Sequence, residues 1–333
     1  MNKLWLKHFR IIVLISAFFV LESGYAQLET PRVSPFSKVK QRIGLTDITI
    51  SYHRPAVKDR EIWGKLVPYG MSPGVSFGSG NLFPWRAGAN ENTIIYFADD
   101  VKIEGEMLPA GKYGLHMIPT EKEWTIIFSK NYSSWGSFHY DQSEDALRVT
   151  VMPVDDEHKE WLEYGFEDFT NSSAVAYLRW EKLKVPFKIE VNTTDVVMKS
   201  FKDQLRGQSG FNWQNWNQAA FYCLQNNVNL DQGLEFINKS ISMNENATNR
   251  NLLAYLLMAK GDNEEAMKVF VANTKKYPEN WNVWDSLGEA YANSGDTKNA
   301  KNYYKKAHGM APDNQKSRIE DILTKLEENK TAM

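Results

Sequence analysis

The sequence of 333 residues contains a single cysteine, Cys223. No intramolecular disulfide is available, so the core has to hold without covalent help. No apolar run is long enough to cross a bilayer. The longest, Ile11 to Leu21, falls short of the ~20 residues that a spanning helix needs. Neither sign of charge dominates. A net charge of −2 excludes a chain-wide electrostatic footprint for nucleic acid, and no nucleic-acid partner is expected. Neither G-x-G-x-x-G nor H-E-x-x-H occurs, so the chain offers no dinucleotide loop and no helical zinc pair, and no cofactor is expected. What the sequence has in abundance is aromatic surface, 13% of residues with 11 Trp, in a chain that is 42% hydrophobic and 24% charged. That composition fits a globular protein with a well-packed core, an aromatic binding surface, or both.

The first residues read as an export signal. Lys3, Lys7 and Arg10 form a positive region, Ile11 to Leu21 an apolar one, and Gly24-Tyr25-Ala26 places small residues at −3 and −1 of a cut after Ala26. No cysteine lies near that cut to carry a lipid. The expectation is a signal peptide over 1–26 and a mature, soluble chain beginning at Gln27, periplasmic or secreted, with no membrane span.

Two hydrophobic periods divide the rest. From about 36 to 192 short alternating runs prevail: Ile48, Ile50 and Tyr52; Trp124, Ile126 and Phe128; Val149 and Val151; Phe187, Ile189 and Val191. A period of two means strands with one buried face. Turns fall at Gly44, at Glu104-Gly105 and at Pro109-Ala110-Gly111. Nine or ten short strands without intervening helices predict an antiparallel β-sandwich or open barrel. A long loop rich in Gly and Pro spans 68–90, and such loops are often functional.

After Asn192 the period becomes helical, with a repeat of 34 residues. Trp284, Leu287, Gly288, Tyr291, Ala300, Tyr304, Ala307 and Pro312 form one copy. Leu253, Ala254, Leu257, Ala266, Phe270, Asn273 and Pro278 form the copy before it. Gly261-Asp262 and Gly295-Asp296 sit at equivalent turns. A weaker copy holds Trp216, Ala220, Cys223, Gly233 and Ile237, with one extra residue in its turn. Ser317 to Glu328 reads as an amphipathic cap, with Ile319, Ile322, Leu323 and Leu326 inward. Over 212–328 the chain resembles the tetratricopeptide family. The expected division is a β domain over 27–194 and a helical domain over 195–333, with three helical hairpins and a cap forming the repeat array. That array implies a protein or peptide partner.

Several runs in the first half, among them TDITISYHRPAVKDREIWGKLVPYG (46–70), WRAGANENT (85–93), LPAGKYGLHMIP (108–119) and WGSFHYDQSEDALRV (135–149), carry a second resemblance. Over about 31–192 the chain is similar to the family called domain of unknown function 2911. That resemblance implies an exported β domain, often followed by tetratricopeptide repeats, and carries no activity with it.

Candidate site residues gather around the long loop. Arg86 offers a fixed fork of donors, Asn90 a paired donor and acceptor, and Glu91 an acceptor. Trp85 and Trp135, flanked by Gly and polar residues, are candidate stacking faces for a carbohydrate. His116, His139 and Tyr140 are weaker members. Arg86 and Glu91 have a second reading, as a buried ion pair that pins the loop, and His116 one as a hydrogen-bonded structural histidine. Arg54 and Lys58-Asp59-Arg60-Glu61 are expected to form a solvated, self-pairing turn. A metal site would need His53, His116 and His139 to meet across strands with Glu91 or Asp141. Gly74-Val75-Ser76-Phe77-Gly78 matches G-x-S-x-G, but an active serine there needs a strand before it and a helix after it. The leading reading is an exported binding or interaction protein. The alternative is a metal-assisted or carbohydrate-active enzyme with its site at 68–91.

Overall fold

The structure, a computed structural model, describes residues 30–328. The export signal expected over 1–26 lies outside the described residues. Ten strands follow in order: β1 (Phe36–Ile43), β2 (Thr46–His53), β3 (Thr93–Phe97), β4 (Val101–Ile103), β5 (Glu106–Leu108), β6 (Gly111–Pro119), β7 (Trp124–Ser129), β8 (Asp145–Val151), β9 (Val154–Glu167) and β10 (Ser173–Val191). They form two antiparallel sheets, β1-β2-β3-β6-β7-β8 and β5-β4-β10-β9. The sheets do not close on each other, so the fold is a sandwich rather than a barrel.

The alternation read from the sequence sets the inner face. Ile48, Ile50, Trp124, Ile126 and Phe128 of the first sheet meet Leu178, Trp180, Phe187 and Ile189 of the second in one core. Phe128 and Phe187 touch edge to face across the layers, at 6.2 Å. Ile127 breaks the alternation because both faces of β7 are covered. It lies opposite His116 on β6, and both are buried. β9 and β10 are much longer than the short strands expected. β10 alternates cleanly at both ends, Ala174–Trp180 and Val185–Val191, while its middle carries polar residues on both faces and shifts register between Arg179, Glu181 and Leu183. The apolar alternation of Phe187, Ile189 and Val191 therefore marks only the second of those two stretches.

Eight helices follow: α1 (Thr193–Arg206), α2 (Trp213–Gln225), α3 (Leu230–Met243), α4 (Ala247–Lys260), α5 (Asn263–Lys276), α6 (Trp281–Asn293), α7 (Thr297–Met310) and α8 (Asp313–Glu328). α2–α3, α4–α5 and α6–α7 are the three expected hairpins, and α8 is the cap, starting four residues earlier than its apolar stripe suggested. α1 was not anticipated. It starts right after β10, capped by Asn192, and adds Met198 and Leu205 to the core of the first hairpin.

The repeat is visible atom by atom. Asn212, Asn246 and Asn280, spaced by 34, each cap a first helix by accepting from the backbone N–H two residues on. Trp216 and Trp284 donate their indole N–H to the carbonyls of Gly210 and Pro278, at 2.9 and 2.8 Å. Gly288 has no side chain because Tyr304 occupies the space: a Cβ would lie 3.0 Å from its ring. Ala300 holds the crossing of α6 and α7 and is fully buried. Ala300→Leu is expected to overpack that crossing and cost about 1–3 kcal/mol in urea unfolding followed by far-UV circular dichroism. An unchanged midpoint would put the repeat register in error.

Candidate functional site

The long loop closes on itself and on the segment 131–144. Gly74 and Gly78 make this possible: a Cβ would stand 2.0 Å from the carbonyl oxygen of Gly80 at the first, and 2.5 Å from that of Phe138 at the second. Between them Ser76 is exposed in a turn, with neither a strand before it nor a helix after it, so the G-x-S-x-G match is not a nucleophile elbow. Trp85 then pairs backbone to backbone with Met117, continuing the sheet beside β6 where β3 has ended. Ala87 follows, fully buried with a φ of 49°. This strained conformation is held because its carbonyl accepts from Thr93 Oγ1 at 3.0 Å and from the Tyr164 hydroxyl at 2.8 Å.

The eight candidate residues fall into three groups. Trp85, Arg86 and Asn90 line a cleft of about 530 Å³ with Lys58, Arg60, Leu66, Phe83, Phe138 and Trp180. His116, His139 and Tyr140 line a second, much smaller cavity with Asn92, Asn131 and Glu144. Glu91 and Trp135 meet only through Arg32, which grips the Glu91 carboxylate with 2.7 and 2.8 Å hydrogen bonds and stands 5.9 Å over the Trp135 ring.

Two expectations are corrected here. Arg86 and Glu91 do not pair, because Arg32 occupies the carboxylate and His53 Nδ1 lies 3.3 Å from its other side. Arg86 turns the opposite way. It donates to the Asn90 carbonyl at 2.6 Å, lies 4.6 Å over the Phe138 ring, and packs so closely that a Cβ on Gly136 would overlap it. Burial works against its charge and lowers its pKa. Trp85 does not offer a free face either. It stacks on Trp180 and meets Trp63 and Trp124 edge to face, closing a cluster of four tryptophans. Trp135 remains 54% exposed.

His116 is buried, and its Nδ1 shares a 2.8 Å hydrogen bond with Ser137 Oγ. Burial, reinforced by the nearby Arg86 charge, pushes its pKa down to about 4, so the ring is neutral at pH 7. The Tyr140 ring meets it edge on, and the Tyr140 hydroxyl donates to Asp145 at 2.7 Å. Burial first and Asp145 second push that hydroxyl up to about 12. The suggested metal set is not assembled: His53 sits with Glu91, His116 with Ser137, and Asp141 caps a short turn through the Ser143 N–H. Among the described residues no three His, Cys, Asp or Glu side chains form a group that could hold a metal ion.

The turn at 58–61 is solvated, with all four side chains exposed, but it does not pair with itself. Arg60 donates to the carbonyls of Val57 and Ala56, and no ion pair joins it or Lys58 to Asp59 or Glu61. Their place in the cleft had no sequence signal, because it depends on the loop folding back.

The helical half carries a second surface. Asn217, Asn251 and Asp285 stand 34 residues apart on α2, α4 and α6, as do Phe221, Tyr255 and Glu289. Neighbouring positions are bonded. Tyr255 donates to Glu289 at 2.7 Å, and Asn251 donates to Asn282 and Ser286, at 2.9 Å each. Asn273 of α5 donates to Asn251 at 2.8 Å, and Arg318 of α8 donates to Asp285 at 2.9 Å. Burial pushes the Asp285 carboxyl up against the pull of Arg318. At the start of the second row Phe221 is 50% exposed.

The fold and these surfaces define a protein of two parts, an antiparallel sheet domain followed by an array of eight helices. The family model described as "Protein of unknown function (DUF2911)" matches residues 34–189, and that of a tetratricopeptide repeat matches 282–314. The two resemblances drawn from the sequence thus hold, in the same order, and the pairing fits a protein-interaction scaffold. No curated protein matches the chain. Among solved structures, the tetratricopeptide domain of Sgt2 from Aspergillus fumigatus is 20% identical, covering 36% of this chain and 82% of that one, with a TM-score of 0.31. PcrH from Pseudomonas aeruginosa is 13% identical, over 34% of this chain and 91% of that one, with a TM-score of 0.32. The Yersinia enterocolitica type III secretion chaperone SycD, in complex with a peptide of the translocator YopD, is 11% identical, over 35% and 93%, with a TM-score of 0.31. Among the described residues no helix is long and apolar enough to cross a membrane.

Proposed function

We propose that this chain is an exported cell-envelope protein whose helical domain, 195–333, holds a protein partner, and whose β domain, 27–194, is the module coupled to it. The charged, apolar and small-residue order of 1–26 supports export. The observation that carries the binding reading is the pair of in-register rows on α2, α4 and α6. Asn251, Tyr255, Asp285 and Glu289 are fixed by hydrogen bonds, so little of their side-chain entropy is left to lose on binding. Phe221 supplies an exposed aromatic anchor at one end, and the Asp285–Arg318 pair a charged end at the other. An extended segment with an apolar side chain near one end fits such a surface.

The test is chemical cross-linking of the full chain in envelope extract, with each partner then identified and titrated. Phe221→Arg is expected to weaken capture at least tenfold. Phe211→Arg, at a residue that is 86% exposed but outside the two rows, is expected to leave it unchanged. Equal capture by both variants would remove the reading.

A further inference from the structure

We propose that the cleft beside the long loop binds a small organic anion: a phosphate or carboxylate group carried on a flat apolar body. This inference stands on the β domain alone and does not depend on the helical surface. The cleft measures about 530 Å³, within the range of ~300–1,000 Å³ typical of small-ligand sites. Its charge is of one sign. Lys58, Arg60 and Arg86 line it, and no Asp or Glu does. Among the described residues none of these three cations has an ion-pair partner.

Arg86 is the most telling of the three. Arg86 is half-buried, and a guanidinium drawn part of the way out of water without a counterion gains from an anion at its free edge. Here Arg86 is clamped between Gly136 and the Phe138 ring, and of its donors only Nη1 is bonded, to a neutral carbonyl. The remaining donors, on Nε and Nη2, form the edge of the guanidinium that engages two oxygens of a phosphate or carboxylate at once. Arg60 is bound to the carbonyls of Val57 and Ala56 through Nε and Nη2, which leaves Nη1 as an unbonded donor.

The rest of the lining is apolar and stiff. Phe83 and Phe138, both half-buried, supply aromatic surface, and Pro55, Pro68 and Pro84 fix the walls. Trp180 is 1% exposed, and its indole N–H has no hydrogen-bond partner. Cations at the rim beside aromatic surface select a molecule with a charged head and an apolar body, and select against a neutral sugar, which needs paired donors and acceptors.

The experiment is isothermal titration of the full chain with 1-naphthyl phosphate, and with its two halves, 1-naphthol and inorganic phosphate. The expected result is saturable one-to-one binding of the ester, with each half at least ten times weaker. Lys58→Gln is expected to weaken the ester severalfold and to flatten its salt dependence without changing naphthol. Arg86→Gln is expected to weaken it tenfold or more, circular dichroism confirming that the variant is folded. Leu66→Trp, at a wall residue 45% exposed, narrows the cleft and is expected to weaken ester and naphthol alike. Absence of saturable binding by the ester overturns the proposal. So does either half binding as tightly as the whole, or a folded Leu66→Trp chain that binds the ester like the wild type. If Arg86→Gln does not fold, Lys58→Gln and Leu66→Trp decide.

Discussion

Trp124→Ala is expected to destabilise the β domain by about 3–5 kcal/mol, the range for emptying a buried tryptophan site. Trp124 is fully buried at the start of β7. Its ring lies 4.9 Å from Trp63 and 6.2 Å from Trp85, both edge on. Its removal leaves the tryptophan cluster open on one side, and the neighbours cannot collapse into the space because Trp85 is tied to Met117 by two backbone hydrogen bonds. The loop that forms the cleft loses its floor at the same time. Urea unfolding followed by near-UV circular dichroism measures the loss. A cost below about 1 kcal/mol would mean that the cluster is not the centre of this core.

The second large effect is acid lability centred on His116. Its folded pKa of about 4 lies below the ordinary value of 6.5, because the buried site disfavours the charged ring. The unfolded chain therefore binds more protons than the folded one between those two values, and stability rises with pH across that window. The contribution is fully present above pH 6.5 and is lost as pH falls toward 4. The full loss is on the order of 3 kcal/mol. His53, whose pKa burial also lowers, adds to the slope in the same direction. His116→Gln keeps a side chain able to bond Ser137 but does not titrate. The expected outcome is a lower stability at neutral pH and a clearly flatter dependence between pH 6.5 and 4, read from urea midpoints across that range. An unchanged slope in the variant would place the acid sensitivity elsewhere.

The candidate site was legible in part. Trp85, Arg86 and Asn90 share one cleft because they are near neighbours in sequence, on a loop whose Gly and Pro content marked it out. Glu91, one residue further on, was lost to that group. The positive φ of Asn90, 59°, turns the chain there, and Arg32 takes the carboxylate from a segment 59 positions away. No local pattern encodes that pairing. Lys58 and Arg60 stay exposed, as a charged turn suggests, and it is the distant loop beside them that makes them part of a cleft wall.

The sequence by itself determined the inner face of β2, β8 and the end of β10, several of the turns, and the change from strand to helix after Asn192. Each of these is a short-range property, a period of two or of 34 written along the chain. It also determined the repeat, since Ala254, Gly288 and Ala300 must be small wherever two helices cross. The tertiary structure alone decided that the sheets remain an open sandwich, that α1 joins the helical core, and that three cations without carboxylate partners line one cleft with Phe83 and Phe138. Those outcomes depend on contacts between residues far apart in sequence, and a hydrophobic period carries no information about which distant side chain will arrive.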